Sequence, residues 1–316
     1  MEIGPYTLQD MIRESQYALL RCAGVVLRSA DAASLSSMVF KGIWSAKNVH
    51  VAVKFSRHSL EREWSIMRKL ACPAGIPNAI EYLKHEGWEV LVMELAGLDF
   101  SLSESFPGVV PIVETTLIAA LVIHRLEHIH NRGIIHSDIK PSNITYHLSQ
   151  DKEDELDGPL ISLIDFGLAC IAYEHAHPEP IFSGVTIGST PYMSPWVHRG
   201  YRPCRRDDLF SAAVTFIVLC KGVRQLPWFD MVYRDGEDTL TDEEHVHVAS
   251  LKETADLHKL AHGKLPDIFI QFYQYVLALK HGDEPAYHTW FNKFLGTPDC
   301  DCNGILPIPP LMLPSP

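Results

Sequence analysis

The chain has 316 residues, of which 47% are hydrophobic and 21% charged. This composition excludes a disordered or fibrous protein and supplies enough core for one two-lobed unit or two domains. The 39 acidic and 27 basic residues give a formal net charge of −12, so nucleic-acid backbones and anionic membranes would on average repel the chain. No signal segment opens it, and no run reaches the roughly 20 apolar residues that a membrane span needs. We therefore expect an intracellular, monomeric protein, cytoplasmic or nuclear, with no nucleic-acid or membrane partner.

The first 23 residues predict a helical extension. Over residues 6–21, with Thr7 as a suitable cap, the apolar residues share one helical face: Leu8, Met11, Ile12 and Leu19. This helix would pack on the domain that follows it or serve as a docking element.

A β-rich region comes next and extends to about residue 96. Runs of β-branched and alternating residues predict strands at 24–27, 37–42 and 49–54, and a further strand begins at Trp88. Between them, residues 61–70 predict a helix, because apolar residues recur there at helical intervals: Leu60, Trp64, Met67 and Leu70. The rest of the chain is mainly helical, and it opens with a long buried helix predicted over residues 113–132, which Gly133 ends.

Two short polar stretches carry the chemistry of the chain. The first is His136-Ser137-Asp138-Ile139-Lys140-Pro141-Ser142-Asn143, and the second is Asp165-Phe166-Gly167, which follows a strand-like run. Transfer of a phosphoryl group needs a carboxylate that orients the attacking hydroxyl and oxygen ligands that hold magnesium over the phosphates. Asp138 suits the first role, while Asn143 and Asp165 suit the second. Lys140 lies two residues after Asp138 and would neutralise charge on the transferred phosphate.

This spacing resembles the catalytic loop and metal-binding motif of protein kinases. The resemblance implies an α+β, bilobal fold, with a small antiparallel β-rich lobe that carries one regulatory helix and a larger, mainly helical lobe. It also implies ATP and Mg²⁺ as cofactors and a protein substrate with a serine or threonine acceptor.

The same resemblance assigns residues that would place the nucleotide. Val51-Ala52-Val53-Lys54 is similar to the kinase signature whose lysine contacts the α- and β-phosphates. Glu63 is our choice for the partner of Lys54, because it directly precedes the apolar stripe of the predicted helix, and Glu61 is the competitor. In the hinge, Met93 would lie against the adenine, and two backbone positions would bind the adenine edge: Glu94 and Ala96.

The chain departs from the kinase pattern at two places. Counting back from Val39, the expected glycine-rich phosphate loop falls on residues 32–37, which contain no glycine, although glycine lets backbone amides approach phosphates closely. Ser137 takes the place of the arginine that usually receives an activating phosphate. Control through that route is therefore not expected, although Thr186, Ser189 and Thr190 remain candidate phosphorylation sites.

A narrower resemblance covers residues 24–296. The chain resembles the casein kinase 1 family in three blocks: Gly188-Ser189-Thr190-Pro191-Tyr192, Arg205-Arg206-Asp207-Asp208-Leu209 and Leu226-Pro227-Trp228. The resemblance implies that Asp208 is a buried carboxylate that binds the catalytic-loop backbone. It also implies that basic residues hold acidic substrates, for which Arg205, Arg206 and, more weakly, Lys264 are the candidates, but the stretch after Trp228 is acidic where the family tends to be basic, so we do not carry this preference over. We expect residues 297–316, which are rich in proline, to be a tail outside the kinase domain.

The resulting hypothesis is a serine/threonine protein kinase similar to casein kinase 1. The alternative is a pseudokinase that acts as a binding or scaffolding module, because the expected phosphate loop lacks glycine. A small-molecule phosphotransferase fits less well, since such enzymes generally lack Lys-Pro after the catalytic aspartate and the block that begins at Arg205.

Overall fold

The computed structural model describes residues 2–3, 6–14, 37–70, 75–100, 110–146, 161–173, 179–233, 240–259 and 265–296. The chain divides after Gly97 into two compact units, which we call the N-lobe and the C-lobe.

The N-lobe is built on one antiparallel sheet with the strand order β1-β2-β3-β4-β6-β5. A single described helix, α1 (Glu61–Leu70), connects β4 to β5. The strands are β1 (Glu2–Ile3), β2 (Tyr6–Glu14), β3 (Ser37–Trp44), β4 (Val49–Ser56), β5 (Ala79–His85) and β6 (Trp88–Glu94).

The helix predicted over residues 6–21 is wrong where it is described, because residues 6–14 form strand β2. Tyr6 pairs with Trp44 in β3, is only 2% exposed, and its hydroxyl donates to Glu81 Oε2 at 2.7 Å. Ladder pairing and burial of this ring outweigh the helical spacing of the apolar residues. Residues 15–21 and the strand predicted at 24–27 lie outside the described residues.

From Val51 onward, the side chains of β4 are buried on both faces of the sheet. Val51, Val53 and Phe55 enter the hydrophobic core that includes Tyr6. Successive side chains of a strand point to opposite faces, so Lys54 projects away from this core. That placement makes Lys54 available to helix α1.

The C-lobe is mainly helical, and its longest helix, α2 (Ile112–His130), agrees with the predicted long helix. At its centre lies α4 (Arg205–Lys221), which is buried from its first residue to Cys220 and packs against both α2 and α7. The other helices are α3 (Pro195–His198), α5 (Phe229–Val232), α6 (Asp242–Thr254), α7 (Asp267–Ala278) and α8 (Tyr287–Leu295).

Two small antiparallel sheets of the C-lobe hold the polar stretches. One has the order β10-β9-β7 and the other the order β11-β8. Their strands are β7 (Leu98–Asp99), β8 (Ile134–Ile135), β9 (Ile144–Tyr146), β10 (Ile161–Leu163) and β11 (Cys170–Ile171). The β-rich N-lobe and helical C-lobe confirm the predicted α+β, two-lobed architecture. Among the helices of the described segments, none is long and apolar enough to cross a membrane.

Candidate active site

In the N-lobe, Lys54 forms a buried ion pair with Glu63. Lys54 Nζ donates to Glu63 Oε1 at 2.9 Å and to Oε2 at 2.8 Å. Glu63 is 4% exposed and shares the inward face of α1 with Ile66, Met67 and Leu70, whereas Glu61 is exposed. The predicted choice of Glu63 over Glu61 is confirmed, while the action of the pair on a nucleotide stays a prediction.

Helix α1 is held at its start by Glu89, a residue that sequence reasoning missed. The Glu89 carboxylate accepts from the Leu60 backbone N–H at 2.6 Å and from the Tyr82 hydroxyl at 2.7 Å. The Tyr82 bond, followed by the Leu60 bond, lowers the pKa of Glu89 to about 2. A carboxylate beside the first turn of a helix also suits the helix dipole.

The predicted hinge residues end strand β6. Met93 is buried and pairs with Ala52 and Ala79. The Glu94 backbone N–H donates to Asn78 O at 3.0 Å, so any bond from Glu94 to an adenine would use its carbonyl oxygen. Ala96 lies just beyond the strand and is partly exposed. The adenine contacts of Met93, Glu94 and Ala96 stay predictions.

In the C-lobe, Asp208 holds the catalytic-loop backbone, as predicted. Asp208 is 1% exposed, and its carboxylate accepts from the backbone N–H of His136 at 2.7 Å and of Ser137 at 2.8 Å. A third bond joins it to His130 Nε2 at 2.8 Å. Ser137 has a φ of 68°, a strained conformation for a residue with a Cβ, and the bonds to Asp208 stabilise it.

One residue after Ser137, the side chain of Asp138 is in contact with two other predicted side chains, those of Lys140 and Asn143. The Asp138 carboxylate contacts Lys140 Nζ at 2.8 Å and accepts from Asn143 Nδ2 at 3.0 Å. Asn143 Nδ2 also donates to the Asp138 backbone carbonyl at 2.8 Å, which closes the loop on itself. Asp138 and Asn143 are buried, so the constellation has a fixed geometry.

Ser189 completes this constellation, although sequence reasoning proposed it only as a phosphorylation site. Its backbone N–H donates to Asp138 Oδ1 at 2.9 Å, and its hydroxyl accepts from Lys140 Nζ at 2.7 Å. Gly188, with a φ of 106°, permits this approach, because a Cβ there would lie 2.5 Å from Ser137 O. In the sequence, the Gly188-Ser189 pair was the feature from which this role of Ser189 could have been predicted.

Asp165 reaches the same region through the pairing of β10 with β9. Leu163 pairs with Ile144, and the Ile164 N–H donates to Asn143 O at 3.0 Å, so the backbones of Asn143 and Asp165 are adjacent. Asp165 has a φ of 66°. The next side chain, Phe166, is fully buried with its ring 4.8 Å from that of His136, which fixes the turn.

The donor set of this region fits a hard divalent cation. Asp165 offers a carboxylate, and Asn143 offers its amide oxygen because its amide nitrogen serves Asp138. Among the described residues, no group of three His, Cys, Asp or Glu side chains forms a metal cage. Two protein ligands suit Mg²⁺, which usually keeps several waters and binds substrate phosphates.

The structure does not support Arg205 and Arg206 as residues that hold acidic substrates. Both are buried, at 6% and 7% exposure. Arg205 is paired with Glu284. Arg206 donates to Leu279 O at 3.3 Å and stacks on the Trp196 ring at 3.8 Å. These arginines join α4 to its neighbours, and Lys264 lies outside the described residues.

Comparison with known proteins agrees with this geometry. Residues 24–285 match the protein kinase domain family, so the chain belongs to that family, whose members use ATP and a divalent metal. Within the family it is similar to casein kinase 1.

Three curated relatives show this similarity. A "Probable casein kinase I homolog" of Encephalitozoon cuniculi is 27% identical over 77% of this chain and 73% of the relative. A second protein of that name from the same organism is 28% identical over 79% of this chain and 80% of the relative. Casein kinase I homolog 3 of Schizosaccharomyces pombe is 28% identical over 79% of this chain, which spans only 56% of that relative.

Proposed function

We propose that the protein is an active serine/threonine kinase that transfers the γ-phosphate of ATP to a protein hydroxyl. The observation that carries the proposal is the constellation in which Lys140, Asn143 and Ser189 all orient the Asp138 carboxylate. A purely structural aspartate would not need a lysine and an amide at the spacing used for phosphoryl transfer.

In the proposed reaction, Asp138 accepts the proton of the substrate hydroxyl. The hydroxyl oxygen bonds to the γ-phosphorus while the bond from that phosphorus to the bridging oxygen of ADP breaks. Lys140 stabilises the negative charge on the transferred group, and Ser189 keeps the lysine in place. Lys54, fixed by Glu63, binds the nucleotide phosphates, and the hinge residues orient the adenine: Met93, Glu94 and Ala96.

Asn143 and Asp165 would hold magnesium, which when bound neutralises charge on the phosphates. Their role as metal ligands is supported by the adjacency of the Asn143 and Asp165 backbones and by the bonds that hold Asn143 against Asp138. The substrate would be a protein with a serine or threonine acceptor. Because Arg205 and Arg206 are buried, we do not carry over a preference for acidic substrates.

The experiment is a kinase assay with labelled ATP, magnesium and casein, for the wild type and for Asp138→Asn. A positioned general base contributes on the order of 10² to 10⁴ in rate, so the variant should lose at least that much activity. Asparagine keeps the size of the side chain, and equal melting temperatures would show that the fold is retained. Equal incorporation by both proteins would reject the proposal.

The alternative is a pseudokinase that serves as a binding module. It is favoured by the 15–36 segment between β2 and β3, which contains one glycine, Gly24, and no Gly-x-Gly pattern. A thermal-shift measurement helps to separate the two functions, because ligand at about 100 times its Kd should stabilise by roughly 2.7 kcal/mol. A stable protein that shows neither a shift with millimolar ATP and magnesium nor any casein phosphorylation would favour the alternative.

A further inference from the structure

The segment that carries Ser189 is anchored by side chains from distant parts of the C-lobe. Residues 190–193 have no regular secondary structure, so their carbonyl groups need other partners. All four carbonyls accept a hydrogen bond from a side chain: Thr190 from Lys252 at 2.9 Å, Pro191 from Trp228 at 2.9 Å, Tyr192 from Ser211 at 3.0 Å and Met193 from Lys252 at 2.7 Å. We call the three donor side chains, Lys252, Trp228 and Ser211, the cradle.

Lys252 is the central member of the cradle. It is fully buried on the inward face of α6, beside Val248 and Ala249. Besides its two carbonyl partners, its Nζ lies 2.9 Å from His198 Nε2, so three acceptors match the three N–H bonds of an ammonium group. The ring of Trp228, whose centroid lies 5.1 Å from Nζ, adds a favourable face for the cation.

Burial of a lysine side chain in the core carries a free-energy penalty, so its presence there requires a physical reason. Burial lowers the pKa of Lys252, and an unpaired ammonium in the core would strongly destabilise the fold. An apolar residue would fill the same space without this cost. The lysine is the one residue type that supplies three donors to acceptors converging on one point.

The cradle is connected to the catalytic constellation through a short path. Ser189 O accepts from the backbone N–H groups of Tyr192 and Met193, both at 3.0 Å. The Met193 carbonyl is the one that Lys252 holds at 2.7 Å. At the other end, Ser189 contacts Asp138 and Lys140. A shift of the anchored carbonyls would therefore move Ser189 relative to Asp138.

We propose that Lys252 is a positioning residue, which, together with Trp228 and Ser211, fixes residues 189–193 and thereby the geometry of Asp138 and Lys140. This inference rests on the proposed kinase function. The segment runs into Ser194-Pro195-Trp196, where most protein kinases carry Ala-Pro-Glu, and the cradle gives it a different internal anchor. Lys252 itself touches neither ATP nor the acceptor hydroxyl in this scheme, and it acts through backbone carbonyls.

The test compares Lys252→Met with Lys259→Met. Lys259 is a matched control, because its side chain is 84% exposed and pairs locally with Asp256. For Lys252→Met we expect kcat on casein to fall roughly 10- to 100-fold, as small misplacements of catalytic groups do. The thermal shift with ATP and magnesium should stay as in the wild type, and so should every property of Lys259→Met.

Hydrogen exchange gives a readout that does not depend on activity. Peptides that cover residues 188–193 should exchange at least about tenfold faster in Lys252→Met, while peptides from α2 and α4 keep their protection. A merely structural role would lower the melting temperature but leave the kcat of the folded fraction and the local exchange unchanged. That result would overturn the proposal.

A second variant covers the case in which Lys252→Met does not fold. Ser211→Ala removes one hydroxyl and the bond to Tyr192 O, and it should give a smaller effect in the same direction on both kcat and exchange. If residues 188–193 of Ser211→Ala then exchange at the wild-type rate, the proposal that the cradle holds this segment is rejected. If the wild type phosphorylates nothing, the proposed function fails, but the exchange measurement still decides whether the cradle holds this segment.

Discussion

The two lobes hold their functional side chains in different ways. In the N-lobe, Lys54 is fixed by a direct contact with another predicted functional residue, Glu63. In the C-lobe, Asp138 belongs to a loop whose backbone is fixed by Asp208, and the segment that carries Ser189 is fixed by the cradle. The N-lobe arrangement centres on one buried ion pair, and the C-lobe arrangement is distributed over many hydrogen bonds.

This difference has consequences for stability and for prediction. Removal of one partner of a buried ion pair takes away much of the compensation of the other charge, which is strongly destabilising. A distributed network loses one contact at a time, and the remaining contacts limit the movement. We therefore expect substitutions in the N-lobe pair to have larger individual effects than substitutions in the C-lobe network.

The largest effect is expected for Glu63→Ala. Removal of one partner of a buried ion pair costs about 3 to 5 kcal/mol, and Lys54 is only 9% exposed. The free energy of unfolding, measured by chemical denaturation, should fall by that amount, and the thermal shift with ATP should decrease.

The double variant Lys54→Met, Glu63→Leu is the control for this prediction. It removes both charges and keeps apolar volume, so it should recover most of the lost stability while ATP binding stays impaired. If the double variant is as unstable as Glu63→Ala, the loss does not come from an uncompensated charge.

A smaller effect is expected for Asp208→Asn. The asparagine keeps one acceptor oxygen but presents an amide donor to a backbone N–H, so about 2 kcal/mol should be lost from the bonds to a charged group. Because Ser137 then relaxes from its positive φ, kcat should fall with little change in the KM for ATP. Steady-state kinetics with casein and variable ATP separates kcat from the KM for ATP. A change in the KM for ATP alone would contradict the prediction that Asp208 acts on the catalytic loop.

The smallest effect is a pH dependence that arises in the C-lobe network. His198 is 2% exposed, and its Nδ1 lies 2.8 Å from His245 Nδ1. Burial, and then the charge of Lys252, lowers the pKa of His198 below its usual 6.5. The unfolded chain therefore binds a proton that the folded chain does not. Stability should fall as the pH drops below about 6.5, by up to roughly 1.4 kcal/mol per pH unit for one histidine.

Denaturation of the wild type and of His198→Asn between about pH 5 and pH 7.5 checks this prediction. Asparagine offers one acceptor and one donor in place of the ring but does not titrate, so its profile should be flatter below about pH 6.5. His245, whose pKa is also lowered, would retain part of the slope. Parallel profiles would show that His198 is not the source.

The candidate site was predicted well where its residues lie close together in the sequence. Asp138, Lys140 and Asn143 lie within six residues, and local chain geometry brings them together in the structure. Glu63 was chosen over Glu61 because it directly precedes the apolar stripe of the predicted helix, and the structure places Glu63 on the buried face of α1. The bond from Asp208 to the catalytic loop was expected from the resemblance to casein kinase 1.

Predictions failed where the outcome depended on distant partners. Residues 6–14 have an apolar spacing that suits a helix, yet they form β2 because β3 supplies hydrogen bonds and Tyr6 fills the core. Arg205 and Arg206 looked like substrate-binding residues, but burial of α4 turned them inward. Nothing local in the sequence distinguishes an exposed arginine from one that stacks on Trp196.

The sequence by itself determined the protein family, the two-lobed plan and the residues of the catalytic loop, because phosphoryl transfer requires a few side chains at short, fixed separations. Only the tertiary structure decided what holds them. Lys252 comes to Thr190 and Met193 from about 60 residues away along the chain, and Glu89 reaches the start of α1 across the N-lobe sheet. Such contacts depend on which buried donors and acceptors packing brings face to face, and a linear pattern does not encode that.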